Sequence, residues 1–218
     1  MQLGPLFERF LQASPIPVMY RALLERALDP NELDRLFHDT ARSQRTRELL
    51  FSSMVKLMFA VVSKVHPSLR SAYLDSLDDL LTSLSAVYAK LQGIEPEVCR
   101  GFVLHSHDRL EPIVGLLDGG TLPPLLPGYN ARILDGNHLA GTEHRPAPTR
   151  TTRAAVLPGQ ALVVLDPATM LVRDVVPCED AYTQERALID AVLERVASGD
   201  LWIADRNFCC SRALPHFR

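Results

Sequence analysis

The pentapeptide Leu201-Trp202-Ile203-Ala204-Asp205 decides how this chain is read. Four apolar residues in a row, bounded by turn signals, suit a fully buried strand. Immediately before it, Ser198-Gly199-Asp200 breaks a stretch with helical periodicity, and Gly199 suits a left-handed position just past a helix end. That stretch predicts a helix over 183–197, with Thr183 as its cap and Leu188, Ile189, Val192, Leu193 and Val196 as its buried stripe. Further upstream, Ala131–Leu134, Ala161–Leu165 and Leu171–Val176 read as strands. The turn-rich Asp166-Pro167-Ala168-Thr169-Met170 joins the last two as a hairpin.

The order is strand, strand, strand, helix, strand. A right-handed crossover would bring the fourth strand back parallel to the first and beside it. The expected architecture is therefore α/β (α+β): an N-terminal helical region over residues 1–120, then over 121–218 the first half of a ribonuclease-H-like fold. The helical region is marked by apolar residues at helical spacing, beginning with Met19, Leu23, Leu24, Ala27 and Leu28. Pro30 opens the next helix, where its missing N–H costs nothing, and Leu33, Leu36 and Phe37 follow. Helices are also predicted over 49–65, 69–77, 79–91, 96–104 and 108–117, the first ended by Pro67. The proline-punctuated segment from Thr121 to Gly128 is the linker.

Composition narrows the class without naming a function. The chain has 218 residues, 47% hydrophobic and 22% charged, which suits a folded protein rather than a disordered one. No run approaches the roughly 20 apolar residues of a membrane span, and the best, Met54 to Val62, carries Lys56. Without a basic stub leading into an apolar block at the N-terminus, a cytoplasmic location is expected. Cys99, Cys178, Cys209 and Cys210 form no C-x-x-C pair and are expected to be reduced thiols. Net charge is −3, so no general basic surface announces nucleic acid. The nearest approach to a basic patch is Arg132, Arg145, Arg150 and Arg153.

The chemistry lies in two aspartates. Asp135 closes the first predicted strand and Asp205 closes the fourth, so both carboxylates would emerge side by side at one edge of the sheet. Like charges held together are costly unless a cation lies between them. Mg²⁺ or Mn²⁺ prefers such oxygen donors, and a pair of these ions can drive in-line phosphoryl transfer. Taken singly, either aspartate would read as a turn or helix cap.

The words around them carry more. Arg132-Ile133-Leu134-Asp135-Gly136-Asn137-His138-Leu139, the run from Leu157 to Pro167, Pro177-Cys178-Glu179-Asp180 and the run from Leu201 to Cys209 together resemble DDE transposases of bacterial insertion sequences. The subgroup is the one with a Tyr-Arg-Glu-Lys signature around its third acid. The similarity extends upstream through Leu49-Leu50-Phe51-Ser52 and the run from Tyr88 to Pro96, covering roughly residues 45–212. The resemblance implies that Asp135 and Asp205 are the first two catalytic, metal-binding acids of a transposase that cleaves and joins insertion-sequence DNA. It implies a two-metal Mg²⁺ or Mn²⁺ site in the complete enzyme and double-stranded DNA ends as partner. His138, Arg145, Arg150, Arg153, Arg206 and Asn207 are the candidate DNA contacts. Each has a plainer reading: a structural histidine, a solvated loop, or for Asn207 a helix cap.

The departure from the family is equally specific. No Asp or Glu follows Asp205, and the Tyr-Arg-Glu-Lys word is absent. The chain thus reads as a C-terminally truncated transposase, inactive alone, its last strand left as an exposed apolar edge. The alternative is a catalytically dead regulator that binds DNA ends, or dimerises with itself or with full-length transposase. A hydrolase of small phosphoesters would need a third acid from among Glu143, Asp166, Glu179 and Asp180. His105 and His107, two apart on a helix, face different ways and are not expected to hold zinc.

Overall fold

The computed structural model describes residues 24–44, 48–116, 122–139 and 159–208. After a helical turn at 24–27, the helices are α1 (Pro30–Thr40), α2 (Phe51–Val62), α3 (Leu69–Asp75), α4 (Leu84–Gly93), α5 (Pro96–Leu116) and α6 (Ile189–Leu193). The strands are β1 (Asn130–Leu139), β2 (Gly159–Asp166), β3 (Leu171–Cys178) and β4 (Asp200–Ala204), in a mixed α/β architecture.

Local chemistry explains where the helices start and stop. Asp29 accepts hydrogen bonds from the N–H groups of Asn31 and Glu32, and Pro30 occupies the first turn, as the sequence predicts. Ser68 and Ser83 cap α3 and α4 in the same way. The helix expected from residue 79 therefore begins later, where Ser83 supplies a cap. The helix expected over 49–65 closes at Val62, ahead of Lys64 in a left-handed conformation. The two helices expected over 96–104 and 108–117 are one, α5, which runs through Pro112. Ser106 returns its hydroxyl to the Phe102 carbonyl at 2.8 Å inside that helix.

The helices pack as two clusters. Leu33, Phe37, Phe51 and Val98 join α1, α2 and α5, with Phe37 and Phe51 stacked at 5.2 Å. Met54, Leu57, Ala72, Tyr73 and Val87 join α2, α3 and α4. His105 lies 3.7 Å from Glu32 of α1, and His107 is buried. Both are thus held within the helical packing.

The strand order across the sheet is β3-β2-β1-β4. β1 pairs antiparallel with β2, β2 antiparallel with β3, and β4 runs parallel to β1. The third core closes one face of this sheet: Leu134, Leu162, Val164 and Val176 pack under Ile189 and Val192 of α6 and Phe208. The helix expected over 183–197 is shorter than its periodicity suggests. Asp180 ties down Tyr182 and Thr183 in a turn, Glu185–Ala187 forms a 3₁₀ turn, and α6 occupies only the stripe that reaches the core. Thr183 is consequently a turn residue, not a helix cap. β4 lies at the sheet's edge, as expected of the last strand, but with Ile203 41% exposed it is not the fully buried strand that its apolar run suggests.

Two arginines bind the sheet together and to the helices. Arg132 is buried on β1, 2.6 Å from Asp166 of β2 and 3.5 Å from Asp200 at the start of β4. Arg100 of α5 donates from Nε and Nη2 to the buried Asp174 carboxylate of β3, at 3.0 and 2.8 Å, and from Nη2 to the Ala191 carbonyl of α6. Asp174 raises the Arg100 pKa above its ordinary value, chiefly through that hydrogen bonding. Arg132→Met would leave two aspartates in the sheet without their cation, at a cost of about 3–5 kcal/mol. Urea denaturation should register that loss, and a loss below about 1 kcal/mol would show the triad to be solvated rather than buried.

Candidate metal centre

β1 (Asn130–Leu139) is longer than the four-residue run, Ala131–Leu134, that reveals it. It continues past Asp135 to Leu139 because β2 supplies a partner at every step, from Ile133↔Leu165 to Leu139↔Gly159. Asp135 is therefore inside the strand, opposite Val163, and not at its end. β4 accompanies β1 only as far as Leu134↔Ala204. Asp135 continues β1 and Asp205 is the first residue past β4, so each comes one residue after the last paired rung, at the carboxyl end of the parallel pair. Both are exposed.

Each carboxylate is tied locally. Asp135 Oδ1 accepts from the N–H of Gly136 at 2.9 Å. Asp205 Oδ1 accepts from the N–H of Asn207 at 2.6 Å, and the Asp205 carbonyl accepts from the N–H of Phe208, closing a 3₁₀ turn over Arg206–Phe208. Asp205, rather than Asn207, is the capping residue of that turn. Phe208 is buried in the core beneath the sheet and anchors the turn.

Among the other expected contacts, Arg206 and Asn207 are exposed beside Asp205. His138 is exposed but lies three residues beyond Asp135 in the same strand, so pleat alternation sends their side chains to opposite faces. Arg132, three before Asp135, also faces away, and its guanidinium is committed to Asp166 and Asp200. It is no part of a basic patch: a charge that looks free in sequence is consumed inside the sheet. Arg145, Arg150 and Arg153 lie outside the described residues, as do Glu143, Cys209 and Cys210.

One neighbour of the site gave no sequence signal. The Glu185 carboxylate, from the 3₁₀ turn ahead of α6, lies against Gly136 in the space a Cβ would need. Its Oε2 accepts from Asn207 Nδ2 at 3.2 Å. The contact joins residues far apart in the chain, and no spacing rule marks it. Of the acids considered as third ligands, Asp166 is bound to Arg132. Asp180 serves the turn at Tyr182 and Thr183.

Carboxylate oxygens are the kind of donor that a hard divalent cation prefers. Among the described residues no group of three or more His, Cys, Asp or Glu side chains is placed to hold a metal ion. A cleft of about 600 Å³ lies elsewhere, between α2, α5 and the β2–β3 end of the sheet. Met54, Met58, Phe102, Val103, Val175 and Pro177 are among its walls, and it converges no set of polar groups on a reacting atom. No described helix is long and apolar enough to cross a membrane.

No family model, curated protein or solved structure matches the chain.

The exposure of the two aspartates sets their structural worth. Asp135→Ala should change stability by no more than about 0.5 kcal/mol, the range of unconstrained surface sites. Asp205→Ala should cost about 1 kcal/mol through the lost turn cap. Thermal or urea unfolding of the two variants checks the ranking, and a large loss at Asp135 would mark it as structural.

Proposed function

We propose that the chain is part of a metal-dependent DDE transposase, with β1 to β4 and α6 forming the opening half of a ribonuclease-H-like core. The observation that carries this reading is that Asp135 and Asp205 each follow the last paired rung of the neighbouring parallel strands β1 and β4. Asp135 and Asp205 would hold a divalent ion between them. Mg²⁺ or Mn²⁺ bound there supplies activation of water and stabilisation of the leaving oxygen in phosphodiester displacement. The chain's own contribution is placement: the β1–β4 ladder brings both acids to one end of the sheet, and the Asp205 turn directs Arg206 and Asn207 there too. Arg206 is suited to meet a DNA phosphate.

Two protein carboxylates leave an octahedral ion to be completed by water or substrate, so affinity is weak. These 218 residues hold two of the three acids of such a centre and are inactive alone in strand transfer. The purified polypeptide should bind Mn²⁺ weakly, lose that binding in Asp135→Asn and Asp205→Asn, and fail to join insertion-sequence ends to target DNA. Robust joining by the polypeptide alone would refute the two-acid account. Mn²⁺ binding indifferent to both substitutions would refute the site. A gel shift with terminal repeats over a salt series separates DNA binding without cleavage from no binding at all.

A further inference from the structure

We propose that Glu185 is the positioning residue of the Asp135–Asp205 centre, holding the two acid-bearing segments at a fixed separation. The inference rests on reading that centre as a metal site. The need for such a residue follows from the ladder. Backbone pairing between β1 and β4 stops at Leu134↔Ala204, one residue short of both acids. Beyond that point β1 is held by β2, while Asp205 has left the sheet for its 3₁₀ turn.

Glu185 spans the gap. Its backbone is anchored where the 3₁₀ turn Glu185–Ala187 runs into α6, whose Ile189 and Val192 are fully buried in the core under the sheet. Its carboxylate rests on Gly136, the residue after Asp135. The same carboxylate accepts from the side chain of Asn207, whose backbone N–H in turn holds the Asp205 carboxylate. Asp135 and Asp205 are thus connected through Gly136, Glu185 and Asn207.

The geometry assigns support, not ligation. Gly136 and Asp135 are adjacent in a strand and face opposite sides of the sheet, so Glu185 touches the strand from behind the Asp135 carboxylate. Gly136 is the permissive element. A Cβ added there would first meet the end of the flexible Glu185 side chain and push it aside.

The test uses the full 218-residue chain with Mn²⁺ as probe, titrated by electron paramagnetic resonance, alongside amide hydrogen exchange without metal. Glu185→Ala should weaken Mn²⁺ binding by roughly tenfold or more, the usual effect of losing a residue that orients metal ligands. Gly136→Ala should do the same by displacing Glu185. Glu185→Gln retains an oxygen for Asn207 Nδ2 and should recover most of the affinity. In exchange, Glu185→Ala should speed the amides of 136–138 and 206–208 and leave β2 and α6 as in wild type.

Wild-type affinity in Glu185→Ala overturns the proposal. So does a Glu185→Gln variant as weak as Glu185→Ala, because the charge itself would then be acting on the metal. Unchanged exchange at both segments overturns it as well. If Asp135→Asn and Asp205→Asn leave Mn²⁺ binding intact, the metal reading fails. The exchange comparison then decides by itself whether Glu185 ties the two segments.

Discussion

The sheet depends on the cation buried within it. Arg132 lies on the covered face of β1 among apolar neighbours, where a lone guanidinium would be severely destabilising. It is tolerated because Asp166 of β2 and Asp200 of β4 meet it from either side. Such a triad is not intrinsically more stabilising than three apolar residues, since the desolvation of each charge offsets much of the attraction. Its effect is on alternatives. Any arrangement that separates β4 from β1, or slips β2 by one residue, leaves a buried charge alone. Asp200 is further committed, accepting the N–H of Ala197 at 3.0 Å and so fixing how the chain leaves α6. The triad therefore specifies β4 beside β1 and in one register.

That register is what brings the acids to the same end of the sheet. With Arg132 opposite Trp202 and Leu134 opposite Ala204, Asp135 and Asp205 each follow one residue after the last paired rung. The covered face supplies the second constraint. Leu134, Leu162, Val164 and Val176 alternate with residues on the other face, so a one-residue slip would expose every one of them. Arg100 carries the constraint outward. By gripping Asp174 of β3 and the Ala191 carbonyl of α6 at once, it seats α5 against the sheet and the crossover segment together.

What the sequence makes legible follows from which forces are local. The strand cores at 131–134, 161–165, 171–176 and 201–204 are visible because burial demands apolar runs, and the hairpin because Asp166 caps its turn from within. Asp166 Oδ1 accepts from Ala168 and Thr169, a short-range signal. Helix lengths are less legible, because neither cap was evident: Ser83 delays α4, and the Asp180 turn shortens the crossover helix. The Arg132 triad is illegible because a charged residue gives no local sign of burial. Grouped by sequence with surface arginines, Arg132 is instead the least available of them. Glu185 is hidden for the same reason, since its contacts at Gly136 and Asn207 exist only after α6 has docked.

The exposure of Asp135 and Asp205 separates the site from the fold. Carboxylates that remain in water incur no desolvation cost, so the fold does not require a cation to neutralise them. The opposite holds at Arg132, where opposite charges are buried and neither partner can be removed cheaply. Charge in this chain thus has two uses, spaced three residues apart on one strand. Inward at 132 it restricts how strands assemble; outward at 135 it remains in water. Since odd spacing in a strand places side chains on opposite faces, the same β1 segment can serve both uses without one field collapsing onto the other. The arginine that looks nearest to the acids in sequence is therefore the one that cannot neutralise them. Asp135 stays in water on the face of β1 that Arg132 does not share.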